Sequence, residues 1–131
     1  MNDCIFCKII NQEIPANIVY QDDKFLAFLD INPVAAGHTL LIPKAHYNSM
    51  AETPDRTVGE IYVKAKELML VLKKGLNADF VVLSVVGMDV PHLHIHLIPR
   101  YNNDGLASFW PTKKYQPGEV EAVIKKIKNN L

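Results

Sequence analysis

From His92 to Leu97 the chain alternates imidazole and aliphatic side chains without a break: His92-Leu93-His94-Ile95-His96-Leu97, followed by Ile98. A period of two is the period of a β-strand, in which successive side chains leave on opposite faces. The segment therefore predicts a strand with Leu93, Ile95 and Leu97 on a covered face. The three histidines fall on the other face, about 6–7 Å apart by strand rise. One strand histidine is an ordinary hydrogen-bonded residue, but three in register behind bulky aliphatics are poorly explained by packing. Three histidines can ligate a catalytic metal; same-face positions on a straight strand diverge, however, and three separate roles along a line suit the spacing better. A neutral imidazole, with an unperturbed pKa of about 6.5, is a competent nucleophile near pH 7. The central one, His94, has an imidazole on each side to orient it and to meet the oxygens of a phosphoryl group under attack.

The remaining segments supply partners for that strand. Ile5 to Ile10 is a short apolar stretch that stops before Pro15. Extended stretches follow at Asn17–Gln21 and Phe25–Leu29, split by the turn-like Asp22-Asp23, and at His38–Pro43 after the breakers Asn32-Pro33 and Gly37. Thr53 and Pro54 read as the N-cap and first residue of a helix. Its apolar positions Val58, Ile61, Ala65, Leu68 and Leu72 recur every three or four residues up to Gly75. Asp79–Val86, almost wholly apolar and β-branched, reads as a strand buried on both faces. Pro117 opens a last helix with the stripe Val120, Val123, Ile124 and Ile127 and basic Lys125, Lys126 and Lys128 outside it. The long stretch Tyr101–Gln116 holds the single Trp110, for which burial is expected. The pattern predicts an α+β fold: a single domain over 1–131 with a central antiparallel sheet of about five strands, one long helix and a C-terminal helix.

Charge and cysteine content narrow the function classes. Fourteen Lys+Arg balance fourteen Asp+Glu over 131 residues, so the basic footprint that grips nucleic acid or an acidic membrane surface is missing. No apolar run has the length of a membrane helix, the N-terminal residues lack the pattern of a signal peptide, and two cysteines are too few for a disulfide framework. A cytoplasmic location is expected. The two thiols stand as Cys4-x-x-Cys7 with three residues before them, too few for the strand that a thioredoxin-type motif needs. A pair of free thiols and half of a Cys2His2 structural zinc site remain as readings.

Five segments recur in a recognisable order: Cys4-Ile-Phe-Cys7-Lys-Ile-Ile, Ile14-Pro15, Phe25-Leu-Ala-Phe28-Leu-Asp30-Ile-Asn-Pro33, Gly37-His38-Thr-Leu-Leu-Ile-Pro43-Lys-Ala-His46, and the histidine strand followed by Pro99-Arg100. From residue 4 to about 100 the chain resembles the histidine triad (HIT) family of nucleotide hydrolases and transferases; the last thirty residues carry no such likeness. The resemblance implies that His94 is the nucleophile of a covalent nucleotidyl-histidine, that His96 contacts the α-phosphate, and that His38 orients the triad. It implies that Asp30 accepts the ribose hydroxyls and that Ile5, Phe6, Ile9, Phe28 and Ile31 surround the base, with Ser84 and Asp89 also at the nucleotide. It is the zinc-containing bacterial-type branch that the chain looks like, which adds His46 and His92 to Cys4 and Cys7 as ligands of a structural zinc. The implied activity is hydrolysis or nucleotidyl transfer at the α-phosphate of a purine nucleoside 5′-phosphoramidate, in a homodimer. Alternatives are a dinucleoside polyphosphate hydrolase and a nucleotide-binding protein with weak turnover.

One stretch departs from the family pattern. Before the triad, members commonly carry an Asn, then Ala/Gly-Gly-Gln and a small hydroxyl residue, whereas this chain has the shorter Ser84-Val-Val-Gly87-Met88-Asp89-Val90-Pro91. Met88 stands where the glutamine would be, and a thioether is no hydrogen-bond donor. Asp89 stands where the hydroxyl would be, either attracting a cationic amine leaving group or serving as a solvated turn residue.

Overall fold

Five short runs rich in β-branched, aliphatic and aromatic residues pair into one antiparallel sheet. They are β1 (Ile18–Gln21), β2 (Phe25–Leu29), β3 (Thr39–Pro43), β4 (Phe80–Ser84) and β5 (Ile95–Arg100), in the spatial order β1-β2-β3-β5-β4. The computed structural model describes residues 3–107 and 109–131. Asp22 closes the first hairpin by accepting from the amides of Lys24 and Phe25 on Oδ1, at 2.8 and 2.7 Å, as the Asp22-Asp23 pair predicts.

A helix lies on each side of the central strands. α2 (Asp55–Gly75) buries Ile61, Ala65 and Leu68 against Phe25, Ala27, Leu41, Leu93, Ile95 and Leu97. On the opposite face α1 (Ile5–Ile10) sets Phe6 and Ile9 on Leu26, Phe28, Leu40 and Ile42. Because β2 and β3 are covered on both faces, their sequences FLAFL and TLLIP are continuously apolar rather than alternating. The described residues form a single α+β domain, and none of its helices is long and apolar enough to cross a membrane.

Several local expectations are corrected. Pro54, not Thr53, sits at the cap position of α2; Thr53 Oγ1 instead donates to the Ser49 carbonyl at 2.8 Å and closes the 3-10 turn Met50–Glu52. The strand over Asp79–Val86 is shorter and is not buried on both faces: β4 is a sheet edge, with Val81 and Leu83 toward the α2 core and Phe80 exposed. The ladder of the histidine strand begins at Ile95, so His92 and His94 lie on its extended approach. Trp110 is 73% exposed, and α3 (Glu119–Lys128), which starts after Gly118 rather than at Pro117, buries none of its stripe. An apolar residue can find its cover on another molecule, which a periodicity argument confined to one chain does not register.

Candidate active site and metal centre

Two clusters of histidine meet at the N-terminal end of β5, and their proton positions tell them apart. In the first, Cys4 and Cys7 from α1 face His46, just after β3, and His92, just before β5. His92 Nδ1 lies 3.4 Å from Cys4 Sγ, 3.6 Å from Cys7 Sγ and 3.1 Å from His46 Nδ1, and Cys7 Sγ is 3.2 Å from His46 Nδ1. A tetrahedral zinc with Zn–N of about 2.0–2.1 Å and Zn–S of about 2.3 Å needs edges of about 3.3 Å between nitrogens and about 3.6 Å between nitrogen and sulfur. The observed edges fit that frame. Outer contacts fix the tautomers: His92 Nε2 donates to the Pro43 carbonyl and His46 Nε2 to Asn48 Oδ1, both at 2.9 Å. Both Nδ1 lone pairs are thereby turned toward the two sulfurs, the arrangement usual for ligating histidines. Burial pushes the Cys7 thiol up to about 11, with the neighbouring Cys4 adding to the shift; a divalent ion reverses that preference and holds a coordinating thiol deprotonated.

In the second cluster the Val34 amide donates to His38 Nδ1 at 3.0 Å. The neutral His38 ring must then carry its proton on Nε2, which donates to His96 Nδ1 at 3.0 Å. That bond in turn places the His96 proton on Nε2, a buried atom with no partner among the described residues. His94 Nδ1 donates to the His92 carbonyl at 2.8 Å, leaving its Nε2 as a bare lone pair. Asp30 Oδ2 lies 3.6 Å from His38 Nε2. The carboxylate and the two imidazoles are close enough to suggest a second metal site, but the proton held on His38 Nε2 removes the lone pair such a site would need. Burial lowers the pKa of both His38 and His96 from the ordinary imidazole value, against the opposing pull of Asp30; both are neutral near pH 7.

The comparisons with known proteins give the family. The HIT domain family model matches residues 11–103. An uncharacterized HIT-like protein of Methanocaldococcus jannaschii is 45% identical over 95% of this chain and 98% of its own length. The chain belongs to the HIT domain family. Adenosine 5′-monophosphoramidase hnt1 of Schizosaccharomyces pombe is 35% identical over 98% of each chain. Adenylylsulfatase HINT3 of Arabidopsis thaliana is 41% identical over 80% of this chain and 56% of its own length. Among solved structures, a Streptococcus mutans protein superposes with a TM-score of 0.87 at 31% identity, covering 99% of this chain and 86% of its own. A zinc-bound histidine triad family protein from Mycobacterium smegmatis superposes with a TM-score of 0.78 at 30% identity, covering 99% of each chain.

The HIT core encloses a cavity of about 300 Å³ that collects most of the residues singled out in the sequence. Ile5, Phe6, Ile9, Phe28, Asp30, Ile31, Asp89, His94 and His96 all line it. Phe6 meets His94 edge-on at 5.2 Å between ring centres and His92 at 5.8 Å, so one α1 side chain braces both clusters. Ile31 stands at the rim, 84% exposed. Ser84 is separate: it pairs with His96 across β4 and β5 and lines a larger, apolar hollow with His38, Val82, Ile98 and Trp110 on the other side of His96. Ile14, Pro15, Ala16, Leu29, Leu40 and Val90 complete the cavity walls without having been assigned to the site. Neither the Val34 amide nor the Pro43 carbonyl was foreseeable, because a backbone group leaves no mark in a sequence. Asn48, two residues after His46, left only a weak one.

Proposed function

We propose that this HIT-family chain is a cytoplasmic hydrolase or nucleotidyl transferase acting at the α-phosphate of a purine nucleoside 5′-phosphoramidate. The observation that carries the reading is the set of proton positions: a lone pair on His94 Nε2 beside a proton on the buried His96 Nε2, in one cavity with Asp30. The apolar walls suit the flat faces of a base, and Asp30 suits the two ribose hydroxyls as a paired acceptor.

The phosphoramidate enters protonated on its bridging nitrogen. His94 Nε2 bonds to phosphorus as the P–N bond breaks, and the leaving group departs with the bond pair as a neutral amine. The His96 Nε2 proton and the cationic intermediate imidazole offset the phosphoryl oxygens. Water then bonds to phosphorus, gives up a proton to solvent, and returns the lone pair to His94 with release of the nucleoside monophosphate. Cys4, Cys7, His46 and His92 would hold a structural zinc, and no step passes through it. A second copy of the chain would cover Trp110 and the bare α3 stripe, as a homodimer.

His94→Ala should abolish turnover while nucleotide affinity stays within about an order of magnitude, because affinity rests on Asp30 and the apolar walls. Mass spectrometry of protein mixed briefly with an adenosine phosphoramidate and quenched should find the nucleotidyl group on His94. An active His94→Ala variant, or a group trapped elsewhere, overturns the mechanism.

A further inference from the structure

The proposed reaction brings a phosphate into the cavity, yet among the described residues no lysine or arginine lines it. Its charged side chains are two carboxylates, Asp30 and Asp89. Asp30 is occupied within the site, accepting the Asn32 amide on Oδ1 at 2.8 Å and lying beside His38 with Oδ2. Asp89 has a different position. Gly87, at φ +74°, makes a turn that disfavours side chains. Beyond it Met88 is thrown outward, 84% exposed, while Asp89 returns to the cavity rim. Asp89 lines the same cavity as His94 and His96, and its charge opposes, as the smallest of several influences, the lowering of the His96 pKa that burial causes.

We propose that Asp89 is a specificity-determining residue: its carboxylate favours nucleotides whose α-phosphorus carries a cationic leaving group and disfavours those whose leaving group departs as an anion. This rests on the reaction proposed above for His94. A P–N bond breaks from its nitrogen-protonated form, so positive charge stands at the bridge before it breaks. A carboxylate at the rim stabilises that charge, and stabilises further any ammonium carried on the amine. A departing sulfate or phosphate instead adds negative charge to a site where, among the described residues, no lysine or arginine offsets it and the His38 and His96 rings are neutral, and Asp89 repels it. Met88 has no side-chain donor to offer a leaving group and is turned outward, which leaves charge as the means of discrimination.

Three adenosine substrates of one nucleotide frame test this: the N-(2-aminoethyl) phosphoramidate, its uncharged isostere the N-propyl phosphoramidate, and adenylyl sulfate. The holoprotein should prefer the aminoethyl to the propyl compound by about fivefold in kcat/KM, the upper range for an exposed charge pair, and should use adenylyl sulfate least. Asp89→Asn should bring the aminoethyl/propyl ratio near one, and Asp89→Lys should take it below one. Raising the salt should shrink the wild-type ratio. Asp23→Asn, on the first hairpin, should leave it as it was. A wild-type ratio near one, or an unchanged ratio in Asp89→Asn, makes Asp89 a solvated turn residue and ends the proposal. The same ratio read as equilibrium affinities of the two phosphoramidates for the His94→Ala protein keeps the test independent of the reaction. Failure of the His94 mechanism shows as a missing nucleotidyl-His94 adduct, whereas failure of the Asp89 proposal shows as a flat ratio beside a normal adduct.

Discussion

A single backbone amide, that of Val34, sets the protonation of two imidazoles. It claims His38 Nδ1, and the proton displaced to Nε2 passes the same constraint to His96. Protonating His38 would set a second N–H against the Val34 donor, and burial already disfavours the charged form of both rings. The folded state thus binds fewer protons than the unfolded state below the ordinary imidazole pKa of about 6.5. Stability from these groups is fully present above that pH, falls as the pH drops through it, and levels off once the folded pKa values are passed. In zinc-saturated protein, denaturant unfolding between about pH 7.5 and 5.5 should show a larger loss for the wild type than for His38→Asn. Equal losses would remove His38 from the balance.

At the scale of elements, α1 depends on its surroundings. Six residues are too few for a helix to persist alone in water, and α1 is held by Phe6 and Ile9 in the sheet-side core and by the Cys4 Sγ cap. The Cys4–Cys7–His46–His92 cluster joins it to the ends of β3 and β5. The purified protein should carry about one zinc per chain. Cys7→Ser should lower the melting temperature by about 5–10 °C, since metal affinity at such a site is folding free energy. Because Phe6 and Ile9 also line the cavity, that variant should raise KM more than it lowers kcat. Metal analysis finding no zinc, or a variant that loses kcat alone, would contradict this division of labour.

For the molecule as a whole, about half of the exposed large apolar side chains lie at the β4 edge and in the chain beyond it. Phe80, Val86, Phe109, Trp110 and the stripe Val120, Ile124 and Ile127 are all exposed, and Val86, Phe109 and Trp110 line an apolar hollow of about 790 Å³. Exposed apolar side chains lining such a hollow suit an interface with a second copy of the chain. Light scattering should give twice the chain mass, and truncation after Gln116 should give a monomer. Trp110 emission should shift to the red on dilution as the ring meets water. A wild type that runs as a monomer at all concentrations would leave the tail solvated.

What was legible beforehand was local. The alternation at His92–Leu97, the α2 stripe and the Asp22 turn each depend on a residue's relation to its near neighbours, and each reappears in the structure. The likeness to HIT segments likewise pointed to the residues that line the cavity. The division of the three histidines, His92 with two thiols and His94 and His96 at the cavity, was implied by the resemblance and not by the alternation; tertiary structure decided that β4 is an edge and that Val34 governs a proton two elements away. These depend on which strands pair and on backbone N–H and C=O groups. Every residue but proline carries both, so the order of side chains holds no record of which ones are used.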